Sequence, residues 1–444
     1  MKVGKTNIHE SFRVIGGKEI AGDIEVSGYK HAFTVLIAAG IISANAQTEI
    51  SNIPLIKETA VLVRILKEIG GKPEISGHTL RFRPELIHNT KLTNELCSEI
   101  HGSVYLIPAM LARFGEVYFG HAGGDKIGDP SVNGDRSTEH ILSILKCFGA
   151  EFRNTTYGIH GKSKKLIATE IDINEYSENK ETNSGPFISG ATKTAILAAS
   201  VAEGTTIIKN PWDKEAAIEL LSFIEKCGCK VRICQDRWEI VGGMKVNKVN
   251  HILISDSTEV MTYIACSAYM RNPLTITKVT SQRTKNALAP EISLLKDIGI
   301  KINFSGSKLA VTPQEELSGK EIIATSRGIN TDSHPFFTLI LTTANKTSSV
   351  TDHVWRYRFA YAEHLTKLGA NLCRFGSTIR VIPRKPYIKN TIIKSADTRA
   401  GAVALIAALA INGTTTVTNI HHIWRGYENL DGKLRGIGAT IEEI

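Results

Sequence analysis

The feature of this sequence that most constrains its fold is a phrase repeated six times. In each copy a helical stretch ends in apolar residues and a glycine, then continues as a strand. The copies are LKEIGGKPEI, LKCFGAEFRN, IEKCGCKVRI, LKDIGIKINF, LTKLGANLCR and LRGIGATIEE. Their glycines, separated by 79, 79, 71, 70 and 69 residues, are Gly70, Gly149, Gly228, Gly299, Gly369 and Gly438. A glycine here supplies the left-handed residue that ends a helix before the chain reverses.

A second phrase precedes the first in each unit, where an alanine-rich helix is followed by a β-branched strand. The six strands are QTEISNIP, GEVYFGHAGG, TTIIKNPWD, LTITKVTSQ, SSVTDHVWR and TTTVTNIHH. Regular alternation of helix and strand predicts an α/β protein in which helices cover sheets. A unit of about 70 residues exceeds the usual solenoid repeat of roughly 20 to 50. A single helix–glycine–strand step is common, but six at nearly constant spacing indicate six repeats, which divide into two domains of three.

The balance of charge points to an anionic partner. The chain has 444 residues, with 53 lysines and arginines against 44 acids, a net charge of +9. Such an excess attracts nucleic acid or small anions, or only keeps the surface soluble. The basic residues are dispersed and form no aromatic–basic cluster, which favours a multiply charged small molecule over nucleic acid.

Composition also bears on the cellular location of the protein and on whether it binds a metal. The longest apolar runs, FTVLIAAGIISANA and AVALIAALAI, are too short to span a membrane, and the N-terminal segment lacks an apolar secretory core. We therefore expect a cytoplasmic protein with no membrane partner. The seven cysteines form no C-x-x-C pair and the 14 histidines form no H-E-x-x-H motif, so we expect reduced thiols and no metal site.

Three motifs carry a resemblance that extends over essentially the whole chain. They are VSGYK (26–30), SGATKTAILAASVAEGTTIIKN (189–210) and HHIWRGYE followed by KLRGIGA (421–439). The sequence resembles the enolpyruvyl transferases, more closely the branch that acts on UDP-N-acetylglucosamine than the one that acts on shikimate 3-phosphate.

The resemblance implies a two-domain inside-out α/β barrel with the active site in the cleft between the domains. Each domain would consist of three βαβαββ-type units around a pseudo-threefold axis. One domain is expected at 30–254, carrying a catalytic loop at 121–136, and the other from 1–29 together with 255–444. Such a double crossing forms a natural hinge.

The implied activity is that of a 1-carboxyvinyltransferase. The enolpyruvyl group of phosphoenolpyruvate would move to the 3-hydroxyl of UDP-N-acetylglucosamine by addition and elimination, with release of phosphate. This reaction would serve peptidoglycan precursor synthesis, and hence cell-wall biogenesis, cell shape and division. The implied partners are these two small molecules, with no metal or organic cofactor.

Five cations match family residues that hold the anionic substrate. The resemblance implies that Lys30 binds phosphoenolpyruvate and that Arg399 and Arg425 face its carboxylate and phosphate. Arg136 corresponds to the loop arginine and Arg358 to a further active-site arginine. The planar guanidinium suits two-pronged binding of carboxylate and phosphate. The alternative for each is a surface cation in a weak ion pair.

Two aspartates match the groups expected to move protons. Asp332 corresponds to the aspartate on the attacking hydroxyl; the alternative is an Asx turn or N-cap before the following helix. Asp125 corresponds to the acid that protonates the enol carbon; the alternative is a turn carboxylate after two glycines. To donate a proton, Asp125 would have to be shielded from water when the loop closes, because nearby cations favour its ionised form.

Many family members carry cysteine at the position of Asp125, and fosfomycin forms a thioether with that cysteine. Aspartate cannot form this bond, so the resemblance implies insensitivity to fosfomycin.

The remaining predicted substrate-binding residues are Ser189, Gly190, His31, His101 and Val354. Ser189 and Gly190 align with the segment that touches the nucleotide diphosphate, and they resemble a helix N-terminus, which favours anions. His31 stands where the family pattern has asparagine, and His101 where it has arginine.

The loop departs from the family as well, because the usual Arg-Pro pair is split into Pro130 and Arg136. These departures favour two alternatives to the implied function. The first is a divergent transferase that acts on another uridine nucleotide or sugar in specialised metabolism. The second is a non-catalytic paralogue that binds the nucleotide.

Overall fold

The computed structural model describes residues 10–43, 47–244 and 248–444. The chain forms two compact units. Unit 1 contains residues 10–27, 125–135 and 255–444, and unit 2 contains 28–124 and 136–254. The segment 125–135 therefore packs as part of unit 1, although the sequence analysis assigned the whole loop 121–136 to the domain 30–254. The reason is that Asp125 is bound by side chains of unit 1, as described below.

The strands of the described residues are numbered here along the chain. They are β1 (Ser11–Ile15), β2 (Gly22–Glu25), β3 (Gln47–Ser51), β4 (Glu74–Ser76), β5 (Thr79–Phe82), β6 (Lys91–Leu92), β7 (Glu116–Phe119), β8 (Glu151–Thr155), β9 (Gly158–Lys162), β10 (Glu170–Asp172), β11 (Thr205–Lys209), β12 (Lys230–Ile233), β13 (Arg237–Val241), β14 (Lys248–Ile252), β15 (Leu274–Thr277), β16 (Ile300–Ser305), β17 (Lys308–Pro313), β18 (Glu321–Ala324), β19 (Ser348–Asp352), β20 (Asn371–Phe375), β21 (Thr378–Ile382), β22 (Thr391–Lys394), β23 (Thr414–Thr418) and β24 (Thr440–Glu443).

The α-helices are numbered in the same way. They are α1 (Lys30–Ile42), α2 (Lys57–Glu68), α3 (Asn94–Cys97), α4 (Leu106–Phe114), α5 (Glu139–Cys147), α6 (Ile188–Ala199), α7 (Glu215–Lys226), α8 (Ser257–Met270), α9 (Gln282–Ala287), α10 (Ala289–Ile298), α11 (His334–Leu341), α12 (Ala360–Lys367), α13 (Thr398–Leu409), α14 (His421–Gly426) and α15 (Leu430–Gly436). Within the described ranges, none of them is long and apolar enough to cross a membrane.

The described strands form six four-stranded sheets of identical topology. In each, one edge strand pairs in parallel with the second strand, and the second-to-third and third-to-fourth pairings are antiparallel. The unit 2 sheets are β14-β3-β5-β4, β6-β7-β9-β8 and β10-β11-β13-β12. The unit 1 sheets are β2-β15-β17-β16, β18-β19-β21-β20 and β22-β23-β1-β24. The β-branched phrases are the second strands of all six, so the predicted α/β class and sixfold repeat are confirmed.

The helices of each unit are inside and the sheets outside. In unit 2 the apolar helices α1, α4 and α6 are almost wholly buried and contact one another. Helices α8, α11 and α13 do the same in unit 1. A helix that lacks a polar face cannot be exposed to water at low cost, so it packs at the centre of its unit. The strands alternate instead, as in β11, where Thr206 and Ile208 are buried.

The predicted glycine stops are also confirmed, since all six repeat glycines have positive φ angles between 90° and 109°. Gly149 illustrates the geometry with a φ of 90°. The next amide, of Ala150, donates to the carbonyl of Leu145 at 3.1 Å, and the Gly149 amide donates to that of Lys146 at 2.9 Å. This is the Schellman ending, which turns the chain from helix to strand.

Candidate active site

Half of the predicted site residues lie at the starts of central helices or directly before them. In unit 2, Lys30 is the first residue of α1, and Ser189 lies in the first turn of α6. In unit 1, Asp332 precedes α11 and Arg399 lies in the first turn of α13. Because the repeats are equivalent, α1, α6, α11 and α13 carry their candidates at the same end.

Asp332 in unit 1 is clamped by two arginines. Arg358 Nη1 donates to its Oδ1, and Arg399 Nη2 donates to its Oδ2 at 3.2 Å. All three side chains are buried, with Asp332 9% exposed. Ser333 occupies the N-cap position of α11, so Asp332 does not cap this helix and its carboxylate binds the two arginines. The structure thus brings three predicted site residues together.

The two arginines remain charged in spite of burial. Burial lowers the pKa of Arg399, but Tyr427, Asp332 and Asp256 outweigh it and raise that pKa above its ordinary value. Burial also lowers the pKa of Arg358, but nearby acids, Asp332 first among them, raise it above its ordinary value. The Arg399 guanidinium also lies 5.0 Å from the centroid of the Tyr427 ring, a cation–π contact.

Asp125 joins this network from the loop segment of unit 1. Its Oδ1 accepts from Arg425 Nη1 at 2.8 Å and lies 3.0 Å from His422 Nδ1. Its Oδ2 accepts from Thr398 Oγ1 at 2.8 Å. Thr398 is the neighbour of Arg399 at the start of α13, so the Asp125 and Asp332 groups meet at one helix end. The side chain of Asp125 is 15% exposed.

A second network holds the segment that carries Asp332. Asp352 accepts from Thr331 Oγ1 at 2.6 Å, and its other oxygen accepts from the backbone amide of Val354 at 2.8 Å. His334 Nε2 lies 3.1 Å from Asp352 Oδ2. Val354, predicted to bind substrate, therefore uses its backbone amide to orient Asp352, which fixes both flanks of Asp332.

In unit 2, Lys30 forms an ion pair across two helices. Its Nζ lies 3.6 Å from Glu58 Oε2 on α2, with the side chains 12% and 9% exposed. The next residue, His31, is half-buried and its ring packs edge-on against Tyr29, with centroids 5.6 Å apart. No motif in the sequence pointed to Glu58 as the partner of Lys30.

Arg136 and His101 lie together in unit 2. A Cβ added to Gly124 would lie 2.1 Å from Arg136 Nη2 and 2.8 Å from the Cβ of His101, so both pack against this glycine. Burial, followed by the charges of Arg136, His140 and Lys193, lowers the pKa of His101 well below its ordinary value. His101 is therefore neutral at pH 7, and it does not replace the positive charge that the family pattern has here.

Gly190 in α6 packs against His140. A Cβ at this position would lie 2.2 Å from His140 Nε2, so no larger residue fits without movement of the ring. Burial, and then the charge of Lys193, lower the pKa of His140 to about 4. Ser189 beside it is half-buried. Among the described residues, no group of three or more His, Cys, Asp or Glu side chains is placed to hold a metal ion.

His422 is the contact of Asp125 that sequence reasoning missed. It precedes Arg425 by three residues on α14, a spacing that places both on one helix face. That spacing within the HHIWRGYE motif was the available signal. The partner itself lies 297 residues away in the sequence.

Comparison with known proteins defines the class of this fold and site. The family model for EPSP synthase (3-phosphoshikimate 1-carboxyvinyltransferase) matches residues 14–434. The chain therefore belongs to this family of enolpyruvyl transferases, a class of transferase enzymes.

Particular relatives are similar over their full length. UDP-N-acetylglucosamine 1-carboxyvinyltransferase 1 of Symbiobacterium thermophilum is 29% identical, with 98% of this chain and 96% of the relative covered. UDP-N-acetylglucosamine 1-carboxyvinyltransferase 1 of Carboxydothermus hydrogenoformans is 30% identical, with 98% of each covered.

Solved structures show the same fold. The enolpyruvyl transferase NikO of Streptomyces tendae is 32% identical, with a TM-score of 0.90 over 97% of this chain and 98% of that one. EPSP synthase of Acinetobacter baumannii shares the fold at 16% identity, with a TM-score of 0.73 over 97% of this chain and 99% of that one.

Proposed function

We propose that this protein transfers the enolpyruvyl group of phosphoenolpyruvate to the 3-hydroxyl of UDP-N-acetylglucosamine, releasing phosphate in peptidoglycan precursor synthesis. The observation that carries the proposal is the network in unit 1. Three buried arginines, Arg358, Arg399 and Arg425, hold Asp332 and Asp125 at the start of α13. The reaction needs this pairing of anion-binding forks with groups that move protons.

The contacts of Asp125 suggest how substrate binding activates it as an acid. While Arg425 donates to Asp125, the carboxylate is held in its ionised form. When the carboxylate or phosphate of phosphoenolpyruvate binds the guanidinium of Arg425, Asp125 loses this hydrogen-bond donor. Asp125, relieved of this cation, takes up a proton from solvent and then delivers it to the enol carbon. Its fixed contact with Thr398 keeps the carboxyl group in place during the exchange.

Asp332 is proposed to orient the acceptor hydroxyl and accept its proton. Its two oxygens are each held by a different arginine, Arg358 and Arg399, so the carboxylate cannot rotate away. A phosphate bound by Arg399 would weaken that hold and make Asp332 the stronger base. The supporting contacts of Asp352 fix the backbone on either side.

Lys30 is proposed to bind phosphoenolpyruvate, and the start of α6 is proposed to bind the nucleotide. Lys30 is only 3.6 Å from Glu58, which holds its ammonium at the first turn of α1. The amides of Ser189 and Gly190 lie in the first turn of α6, where unpaired N–H groups favour phosphate.

A second candidate is transfer to another uridine nucleotide or sugar. The observation that favours it is the neutral state of His101, which places no charge where the family pattern has arginine. His31 and the split loop motif favour the same candidate, because both change groups that are expected to contact the acceptor.

Phosphate release tests the proposal. The purified chain is given phosphoenolpyruvate with UDP-N-acetylglucosamine, and in parallel with other UDP-sugars and uridine nucleotides. If phosphate is released with UDP-N-acetylglucosamine and with no other acceptor, the first proposal is supported. If phosphate is released only with a different acceptor, the second is supported. Ligand binding without phosphate release from any acceptor would indicate a non-catalytic paralogue.

Lys30→Ala is the sharpest variant for this assay. We expect loss of turnover by at least about 100-fold, because an ammonium that binds the substrate anion is removed. Thermal unfolding should stay cooperative, at a lower melting temperature because Glu58 loses its partner. Lys162→Ala is the matched control, since Lys162 is also ion-paired but 62% exposed. Near-normal turnover in Lys30→Ala would remove Lys30 from the site.

A further inference from the structure

Lys193 on α6 is a buried cation held by aromatic rings. The residue is 5% exposed. Its Nζ lies 4.8 Å from the centroid of the Tyr105 ring and 5.2 Å from that of Trp212. Within residues 10–43, 47–244 and 248–444, no hydrogen bond or ion pair of this ammonium is found. Burying an ammonium without a counter-ion is costly, and cation–π contacts offset only part of that cost.

The surroundings of Lys193 add donors and positive charge. His101, Arg136 and His140 are close enough to interact electrostatically with Lys193 or with one another. The Nδ1 atoms of His101 and His140 are buried and have no hydrogen-bond partner in the described part of the chain. Both imidazoles are neutral at pH 7, so each retains one nitrogen that donates and one that accepts. The fixed charges of the cluster are those of Lys193 and Arg136.

The cluster is held in a defined geometry. The backbone amide of Trp212 donates to Thr192 Oγ1 at 3.0 Å, which ties the indole to α6 beside Lys193. On the same helix, Gly190 leaves room for His140. The donors therefore lie next to the helix start proposed for the nucleotide. An anion with several oxygens, such as a phosphate, matches two cations and neighbouring imidazoles.

We propose that Lys193 is a specificity-determining residue, whose ammonium, held between Tyr105 and Trp212, binds a phosphate group of the acceptor nucleotide. This inference rests on the proposed function, because it takes from it that the acceptor is a phosphorylated nucleoside. The aromatic rings hold the ammonium, which has no carboxylate partner among the described residues, so the phosphate of the acceptor becomes its counter-ion.

Calorimetric titration of the full chain tests this directly. UDP-N-acetylglucosamine and UDP are titrated into the wild type, Lys193→Met, Lys193→Arg and the exposed control Lys162→Met. We expect Lys193→Met to weaken binding of both nucleotides by about 10-fold or more, as for loss of a charged hydrogen bond. Lys193→Arg should keep part of the affinity, and the control should match the wild type. Uridine, which has no phosphate, should bind all four proteins equally.

Two results would overturn the inference: equal nucleotide affinity in Lys193→Met and the wild type, or a wild type that binds neither nucleotide. If Lys193→Met does not melt cooperatively, Lys193→Gln takes its place, because the amide keeps polar contacts with the rings. Phosphate release from phosphoenolpyruvate is measured separately. A wild type that binds UDP-N-acetylglucosamine through Lys193 but releases no phosphate would reject the proposed function and leave this inference standing.

Discussion

Asp332→Asn should lower turnover and stability together while making the arginines more receptive to added anions. The substitution keeps the shape of the side chain but removes the charge shared by Arg358 and Arg399. A hydrogen bond to a charged group contributes about 1.5–3 kcal/mol and a neutral one about 0.5–1.5. The asparagine amide has one oxygen that accepts and one nitrogen that donates, so one of the two bonds becomes neutral and the other is lost. The expected loss in the free energy of unfolding is therefore about 2.5–4.5 kcal/mol. Because Asp332 is only 9% exposed, little of this is screened by water.

The same variant should lose turnover by at least about 100-fold, the usual contribution of a positioned base. It should also regain stability in phosphate, because two buried arginines without their aspartate bind the anion. Phosphate at 100 times its Kd would restore about 2.7 kcal/mol. The assays are urea unfolding with and without phosphate, and phosphoenolpyruvate-dependent phosphate release with the preferred acceptor.

Asp23→Asn is the matched control, since Asp23 pairs with Lys308 at 3.1 Å but both side chains are more than half exposed. It should change neither stability nor rate measurably. If Asp332→Asn unfolded at the wild-type urea concentration, the arginine clamp would contribute nothing to the fold. If it turned over at the wild-type rate, Asp332 would have no part in proton transfer.

Three further predictions concern the loop, pH and the repeat glycines. Fosfomycin should leave the wild type fully active, whereas Asp125→Cys should become covalently modified, as read by intact mass; a modified wild type would contradict the assignment. The folded pKa of His140, about 4, lies below its ordinary 6.5, so the unfolded chain binds more protons at pH values between the two. Urea unfolding at pH 7.5 and pH 5 should therefore show the wild type losing about 2 kcal/mol more than His140→Asn, and equal losses would refute the neutral histidine. Gly149→Ala should cost about 1–2 kcal/mol through its φ of 90° alone, because the added Cβ would meet nothing closer than 3.9 Å. Gly436→Ala, which has open space inside α15, should be neutral or stabilising, and an equal loss in both would show that φ is not the cause.

The repeat architecture followed from the sequence because its signals are local. The end of α5 at Cys147, the left-handed Gly149 and the start of β8 at Glu151 obey rules that depend on neighbouring residues only. Repetition of these rules at nearly constant spacing indicated the α/β class and the six repeats. The apolar runs of α1 and α13 were recognisable as well, because neither has a polar face for water, and both helices are buried in their units.

The pairings of the candidate site could not be obtained in this way. Asp125 meets His422 and Arg425 across about 300 residues, and no periodicity encodes that contact. Lys30 was expected to face substrate, but its partnership with Glu58 depends on how α1 packs against α2. The sequence could name residue types suited to an anion, whereas their charges and hydrogen bonds depend on tertiary packing.

The sheet that joins β1 to β23 and β24 sets an order of assembly during synthesis. Phe12 pairs with Val417 on one side and Glu443 on the other, and β2 pairs with β15. During synthesis β1 and β2 therefore wait for partners made hundreds of residues later. Every described segment of unit 2 has been made by residue 254, so this unit can fold while the start of unit 1 is still unpaired. A nascent chain arrested shortly after unit 2 would carry two strands that only chaperones or the rest of the chain can cover.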